Sequence, residues 1–282
     1  MAIDYLHNHP DFADLIRIVS EERAIVPALV EKDYWIMHCL YGLQQLNLRF
    51  ELKGGTSLSK GFGIIKRFSE DIDFKLALSE AFLDKSANQR RKLLGALRDA
   101  LEATWKDVGF AITLVESRDS NGFIRIEMNY PTLIQPNDAL RPHILAELSS
   151  KPPRLPVQHR PLASFVSQYA GEAPEINAIA CVDPVETAAD KLSGFAWRML
   201  VRNRSGEKDD ATIVRHLHDL AALEETTIQS ADFPELLKST LIDDSARGGG
   251  AVAGLAPRER LNAMQTRLAG DALYADEYRQ FV

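Results

Sequence analysis

Phe50-Glu-Leu-Lys-Gly-Gly-Thr-Ser-Leu-Ser-Lys-Gly-Phe-Gly-Ile-Ile-Lys-Arg-Phe-Ser-Glu-Asp-Ile-Asp-Phe74 is the stretch from which the rest of the chain is read. Its apolar start reads as a strand that breaks at Gly54-Gly55-Thr56-Ser57. One or two helical turns follow through Leu58–Ile65, and a second strand carries Asp71 and Asp73. Gly54 and Gly55 let the backbone adopt conformations closed to other residues and come close to a ligand. Successive amides of such a turn, with the Ser57 hydroxyl and the N-terminus of the next helix, form a phosphate site. In Asp71-Ile-Asp73 the two-residue period of a strand puts both carboxylates on one face and Ile72 on the other. Two such acids repel unless a divalent cation lies between them, and Mg²⁺ takes one or two carboxylates plus substrate phosphates. Each half has an ordinary explanation, a turn for the glycines and a solvated strand face for the acids. Their succession as strand, turn, helix and strand points to metal-dependent phosphoryl or nucleotidyl transfer.

Lys53-Gly-Gly-Thr-Ser-Leu-Ser-Lys60, followed by Arg67-Phe-Ser-Glu-Asp-Ile-Asp73, resembles the central motif of the AbiEii/AbiGii toxin family. These are nucleotidyltransferase-like proteins of abortive-infection and type IV toxin–antitoxin systems, similar in fold to DNA polymerase beta. The thirteen residues 58–70 fit the longer spacing of that family. The resemblance runs from about Glu31 to Leu223. It implies an α/β (α+β) nucleotidyltransferase fold with a mixed β-sheet core, flanking N-terminal helices and a C-terminal helical bundle. It also implies a nucleoside triphosphate substrate held by Lys53, Gly54, Gly55, Thr56, Ser57 and Lys60, with Mg²⁺ or Mn²⁺ on Asp71 and Asp73. A third metal carboxylate is expected on a neighbouring strand. Glu127 and Glu147 compete for that place; Glu147 is preferred because Ile144-Leu-Ala-Glu-Leu148 is similar to the family's run before a proline-containing loop. The bland alternative is that either glutamate pairs with an arginine or caps a sheet edge.

Outward from this centre, residues 11–25 and 28–46 read as helices, with Pro27 suited to a first turn. Glu31-Lys-Asp-Tyr-Trp35, inside the second helix, also resembles the family; a packing and helix-surface role is assigned to it. Asn88–Val108 is a periodic helix stopped by Gly109. Phe110–Glu116 and Phe123–Tyr130 read as a hairpin around Arg118-Asp-Ser-Asn-Gly122, and Arg141–Leu148 as a further strand. Residues 151–161, with four prolines, read as a connector. The chain divides into a catalytic core over residues 1–180, its sheet at roughly 48–180, and a helical domain over 181–282 that closes the cleft.

In the second part Asp183-Pro-Val-Glu186 is a helix start, and that helix runs to about Val201. Asp209 or Asp210 caps another reaching about Glu224. Folded back as a hairpin, the two helices bring Lys191 and Asp219 to one height. The resemblance selects the same pair, through Glu186-Thr-Ala-Ala-Asp-Lys-Leu192 and Arg215-His-Leu-His-Asp-Leu-Ala221, and implies that both are functional; an ordinary interhelical ion pair is the alternative. His216 and His218, two apart on a helix, point away from each other and make no metal site. Arg247-Gly-Gly-Gly250 reads as a flexible linker. Pro257–Leu268 and Ala272–Phe281 read as terminal helices.

The chain has 282 residues, 45% apolar and 26% charged, with a formal charge of −7. That balance lacks the basic excess usual in a dedicated nucleic-acid binder. RNA contact would fall to local clusters such as Lys53, Lys60, Lys66 and Arg67, or Arg198, Arg202, Arg204 and Lys208, which otherwise read as solvated surface charges. No apolar run is long enough to span a membrane, and Cys39 and Cys181 read as buried free thiols of a cytoplasmic protein. By resemblance the partners are a cognate antitoxin of winged-helix type encoded nearby and an RNA acceptor, with the 3′ end of tRNA in first place, in phage defence. The alternatives are nucleotidyl transfer to a protein or small molecule, and a non-catalytic nucleotide-binding toxin.

Overall fold

The computed structural model describes residues 5–44, 46, 49–76, 78–135, 140–207, 209–245 and 250–281. It divides into two compact units, Met1–Val182 and Asp183–Val282. The first is built on a seven-stranded mixed sheet. Its strands are β1 (Phe50–Lys53), β2 (Asp71–Leu76), β3 (Ala111–Arg118), β4 (Phe123–Asn129), β5 (Ile144–Ser149), β6 (Gln158–Leu162) and β7 (Ile176–Cys181), in the order β3-β4-β5-β2-β1-β7-β6. β2 runs antiparallel to β1 and parallel to β5, and β1 runs parallel to β7.

Alternation along the central strands separates the two faces of this sheet. Ile72, Phe74, Phe50, Leu52, Ile144, Ala146 and Leu148 are buried in one apolar cluster. That cluster includes Trp35 and Cys39 from α2 (Pro27–Gln44), and Leu94, Leu101 and Trp105 from the long helix Ala87–Asp107. Asp71, Asp73 and Lys75 take the other face, as do Lys53 and Glu51, paired in register with Asp73 and Lys75. α1 (Phe12–Arg23) packs on α2.

Local chemistry sets the element ends. The long helix opens on a capping box in which the Gln89 amide donates to Ser86 Oγ and the Ser86 amide donates to Gln89 Oε1. Gly109, with φ of 101°, ends it. Two expectations are corrected here. The proline-rich connector contains strand β6, because Pro161 falls at an irregularity in an edge strand, where no ladder donor is needed. The strand expected from Arg141 begins at Ile144 instead, leaving Arg141 outside the ladder.

A third correction concerns Glu31-Lys32-Asp33. The three side chains are buried, not displayed on a helix surface. Each holds a different segment. Thr132 Oγ1 and the Leu133 amide donate to Glu31, both at 2.6 Å. Lys32 donates to Glu70 at 2.5 Å and to the Arg141 carbonyl at 2.8 Å. Asp33 pairs with Lys60 at 2.5 Å and accepts from the Phe165 amide at 2.7 Å. Successive positions on a helix point about 100° apart, so three consecutive charges in an apolar helix cannot share one solvent face.

In the second unit Asp183 caps the helix Pro184–Val201 by accepting from the Val185 amide at 2.8 Å. A 3₁₀ turn, Ala211–Val214, precedes the helix Arg215–Ala222, which is shorter than expected. Helices Phe233–Asp243, Pro257–Gly270 and Leu273–Phe281 follow, and Phe195, Met199, Val214, Met264 and Tyr274 form the core. Arg202 and Arg204 are not solvated surface charges. Arg202 makes paired bonds to Asp209 and Glu277 at 2.6–2.8 Å, and Arg204 binds Asp271 at 2.9 Å as well as Glu277. Lys208 and residues 247–249 lie outside the described residues. Both cysteines are buried free thiols, and no helix among the described residues is long and apolar enough to cross a membrane.

His7 gives the fold a pH dependence. Its Nδ1 lies 2.9 Å from Tyr34 Oη, within a cluster of Tyr5, Tyr34, Trp35 and His38 rings. Burial, then the neighbouring His38, pushes its pKa down to about 4. The folded protein therefore takes up fewer protons than the unfolded chain between the ordinary histidine pKa and that value. This contribution to stability is present above about pH 6.5 and is lost as the pH falls toward 4. We expect the urea midpoint to drop between about pH 7.5 and about pH 5, and His7→Phe to lose less than the wild type over that interval. Equal losses in the two proteins would rule His7 out as the source.

Candidate active site

Register brings the acids together. β2 and β5 are parallel with Asp73 opposite Glu147 and Asp71 opposite Leu145, so the three carboxylates project from one face of two adjacent strands. Glu127 is one strand further out, paired with Arg125 at 2.6 Å. Burial, then Asp73, then Asp71 hold the Glu147 carboxyl above the usual carboxylate range, with Lys53 and Arg125 opposing. Such like-charge coupling on a half-buried face suits oxygen ligands for a hard divalent cation. As the side chains stand, no group of three or more His, Cys, Asp or Glu among the described residues is arranged to hold a metal ion. Asp71 is instead engaged with Arg141, whose Nη1 lies 2.6 Å from Oδ1.

The glycine segment lies against this face. It is helical from its first glycine, as α3 (Gly54–Thr56) running into a π-helical stretch, Ser57–Gly61, and not as a turn followed by a helix. Lys53 is the extended residue before it, and Gly54 makes the entry with φ of 74°. A side chain at Gly54 would collide with Asp73 Oδ2, and one at Gly55 would come 2.5 Å from Ser69 Oγ and 3.2 Å from Arg67 Nη2. Thr56 Oγ1 donates to the Asp71 carbonyl at 2.6 Å, which ties the segment to β2. The first amides of the segment are thereby delivered beside Asp73, where an anion can be received.

Two residues expected to hold phosphate point elsewhere. Ser57 is fully buried with its hydroxyl against the Cys181 thiol. Lys60 turns inward to Asp33, donates to the Ala163 carbonyl at 3.2 Å and sits 3.8 Å from the Phe165 ring centre. The pull is electrostatic, since Asp33 is fully buried and would otherwise be a costly uncompensated charge.

In the second unit Lys191 Nζ lies 2.7 Å from Asp219 Oδ2, with Asp219 fully buried. The two helices therefore meet at the height their spacing sets. His216 lies by Arg198 and Phe195, while His218 lies by Phe281, so the histidines diverge.

Sequence reasoning missed Lys32, Glu70 and Arg141. For Lys32 the signal was three successive charges in an apolar helix, and for Glu70 its place within the quoted motif. Arg141 gave none, because its partners are far away in sequence.

With this geometry in hand, comparison with known proteins is informative. The family model of the AbiEii nucleotidyl transferase toxin, type IV toxin–antitoxin system, matches residues 36–282. Among solved structures the chain is similar to MenT4, a nucleotidyltransferase toxin from Mycobacterium tuberculosis H37Rv. Identity is 19%, covering 94% of this chain and 88% of that one, with a TM-score of 0.48. It is also similar to an antigenic nucleotidyltransferase-like protein from Paracoccidioides brasiliensis, at 12% identity over 76% of this chain and 88% of that one, TM-score 0.38. Curated proteins gave no match.

Gly54 and Gly63 separate two effects. Both have positive φ, but space around Gly63 is open. Gly63→Ala should cost only backbone strain of about 1 kcal/mol. Gly54→Ala should cost about 1–3 kcal/mol and also displace Asp73, abolishing function that depends on that carboxylate. Thermal melts and a transfer assay on both variants test this; equal behaviour would remove Gly54 from the site.

Proposed function

We propose a function from one premise: the chain belongs to the AbiEii family of nucleotidyltransferases, toxins of type IV toxin–antitoxin systems. An antitoxin partner follows from that membership. We assign the partner to the winged-helix type and the system to phage defence in the cytoplasm. The reaction is transfer of a nucleoside monophosphate from a nucleoside triphosphate onto an acceptor hydroxyl of RNA, with the 3′ end of tRNA as the first acceptor to test, and pyrophosphate leaves.

The observation that carries this reading is the pairing of Asp73 with Glu147, beside Asp71 and under Gly54. Asp71, Asp73 and Glu147 would hold Mg²⁺ or Mn²⁺, which supplies neutralisation of charge on the triphosphate and polarisation of the acceptor oxygen. The amides of Gly55 and Thr56 receive phosphate oxygens at the start of the helical segment. Lys53, cross-strand from Asp73, adds a positive charge there. Within the second unit we assign Lys191 as a phosphate-binding cation, with Asp219, 2.7 Å away, fixing its ammonium. The net charge of −7 favours a second reading, in which the acceptor hydroxyl belongs to a protein or small molecule.

Incubation with triphosphates labelled at the α-phosphate, a divalent cation and total RNA tests both readings. Label is expected in RNA, falling by more than about tenfold in Asp71→Ala and Asp73→Ala, since even outer-shell metal partners cost about ten- to a hundredfold. Glu147→Gln should behave like them, and Glu127→Gln should stay near wild type. Label in protein or small molecules would favour the second reading, and labelling indifferent to both aspartates would overturn the site.

A further inference from the structure

Arg141 belongs to no strand or helix, yet its main chain is fixed at both ends. Its amide donates to Glu70 Oε2 at 2.8 Å, and its carbonyl accepts from Lys32 Nζ at 2.8 Å. Lys32 and Glu70 are themselves paired at 2.5 Å, and Lys32 is fully buried in α2. Glu70 is the residue before Asp71. One half-buried ion pair therefore clamps the backbone of Arg141 alongside the first residue of the acidic strand. The side chain uses that placement to put Nη1 2.6 Å from Asp71 Oδ1. The Arg141 side chain is 37% exposed, so it has room to turn about its own bonds without disturbing the clamp.

A surface ion pair formed by chance needs no such anchorage, because exposed pairs contribute little and seldom order the main chain. Burying an ammonium in order to fix the backbone of an arginine is costly and calls for a return. A guanidinium on Asp71 Oδ1 lies within the reach of any cation that Asp71 would bind. It has five donors in a planar fork, the geometry that suits phosphate oxygens.

We propose that Arg141 is the resident counter-cation of the site: it occupies Asp71 until a divalent metal binds there, and then turns its guanidinium to the phosphates of the nucleoside triphosphate. This rests on the reading of Asp71 and Asp73 as metal ligands. Arg141 is in that case a nucleotide-binding residue that also couples metal entry to nucleotide entry. Metal bound to Asp71 releases the cation that the triphosphate needs, and the anionic triphosphate stabilises the released position. The two ligands therefore favour each other through one side chain.

The sign of one measurement separates this role from a merely structural one. Arg141→Ala removes the competitor for Asp71 while keeping the main-chain clamp, so the full-length variant should fold with a near wild-type melting temperature. Mn²⁺ alone, followed by electron paramagnetic resonance titration, should bind it about fivefold tighter than wild type, the equivalent of a half-exposed ion pair released. With Mn²⁺ saturating, a fluorescent nucleoside triphosphate should bind the variant more weakly than wild type. Arg141→Lys should keep Mn²⁺ affinity near wild type and give intermediate nucleotide affinity, having lost the planar fork. Weaker or unchanged Mn²⁺ binding in Arg141→Ala would overturn the exchange and leave Arg141 as a brace for Asp71. Unchanged nucleotide affinity would overturn its service to phosphate. If wild type binds no Mn²⁺, or Asp73→Ala binds it equally well, the metal reading of the site fails and takes this inference with it.

Discussion

The register of β2 against β5 is the constraint on which the rest of the first unit depends. A strand alternates its side chains strictly, so a slip of one residue would turn Asp71 and Asp73 into the apolar core and Ile72 and Phe74 out of it. Burial of Ile72 and Phe74 with Phe50, Leu52, Ile144, Ala146 and Leu148 makes that slip prohibitive. The acidic face is thus held in alignment by the opposite, apolar face. Burial first, and then the like charges of Asp73 and Asp71, raise the proton affinity of Glu147. Hydrophobic burial supports a like-charge arrangement that would not assemble by itself.

Segments outside the central strand ladder are fixed by different means. No strand register reaches residues 132–134, Arg141 or Phe165, and each is instead held by a charge from α2. Apolar contacts are non-directional, whereas a carboxylate or ammonium bonding to backbone groups sets both distance and orientation. Lys60 is recruited into this scheme by Asp33 and is thereby withdrawn from phosphate binding. A lysine at a motif position can thus serve the scaffold, and only the location of its counter-ion decides.

What the sequence disclosed follows the range of the forces involved. Period and capping are local, so the strand bearing Asp71 and Asp73, the capped start at Asp183 and the level of Lys191 with Asp219 were all legible. The fold class was legible too, because the strand–turn–helix–strand succession and its resemblance both indicate a mixed sheet. Pairing partners were less so. Glu147 and Glu127 lie on similar apolar strands, and only the strand order puts the first next to β2 and the second beyond it. Arg141 was beyond reach, since its partners Lys32, Glu70 and Asp71 lie 70 to 109 positions away. The inward turn of Ser57 was hidden for the same reason, since the thiol it faces, Cys181, is on a strand far away in sequence.

The buried charges of α2 also show why such a site resists simplification. Replacing a buried ion pair by apolar residues of similar shape is often neutral or stabilising, but removing one partner leaves an uncompensated charge and costs about 3–5 kcal/mol. Glu31, Lys32 and Asp33 hold three separate segments, so no single apolar replacement keeps the geometry, and each loss strands a different loop. The cost of desolvating three charges is met by the large apolar cluster around Trp35, Leu40 and Trp105. In exchange the backbone beside Asp71 is held within hydrogen-bond tolerance, a precision that apolar packing of an irregular loop does not supply. The same helix therefore does two jobs with two kinds of residue, its apolar positions stabilising the sheet and its three consecutive charges fixing three other segments, one of them the Arg141 backbone beside Asp71.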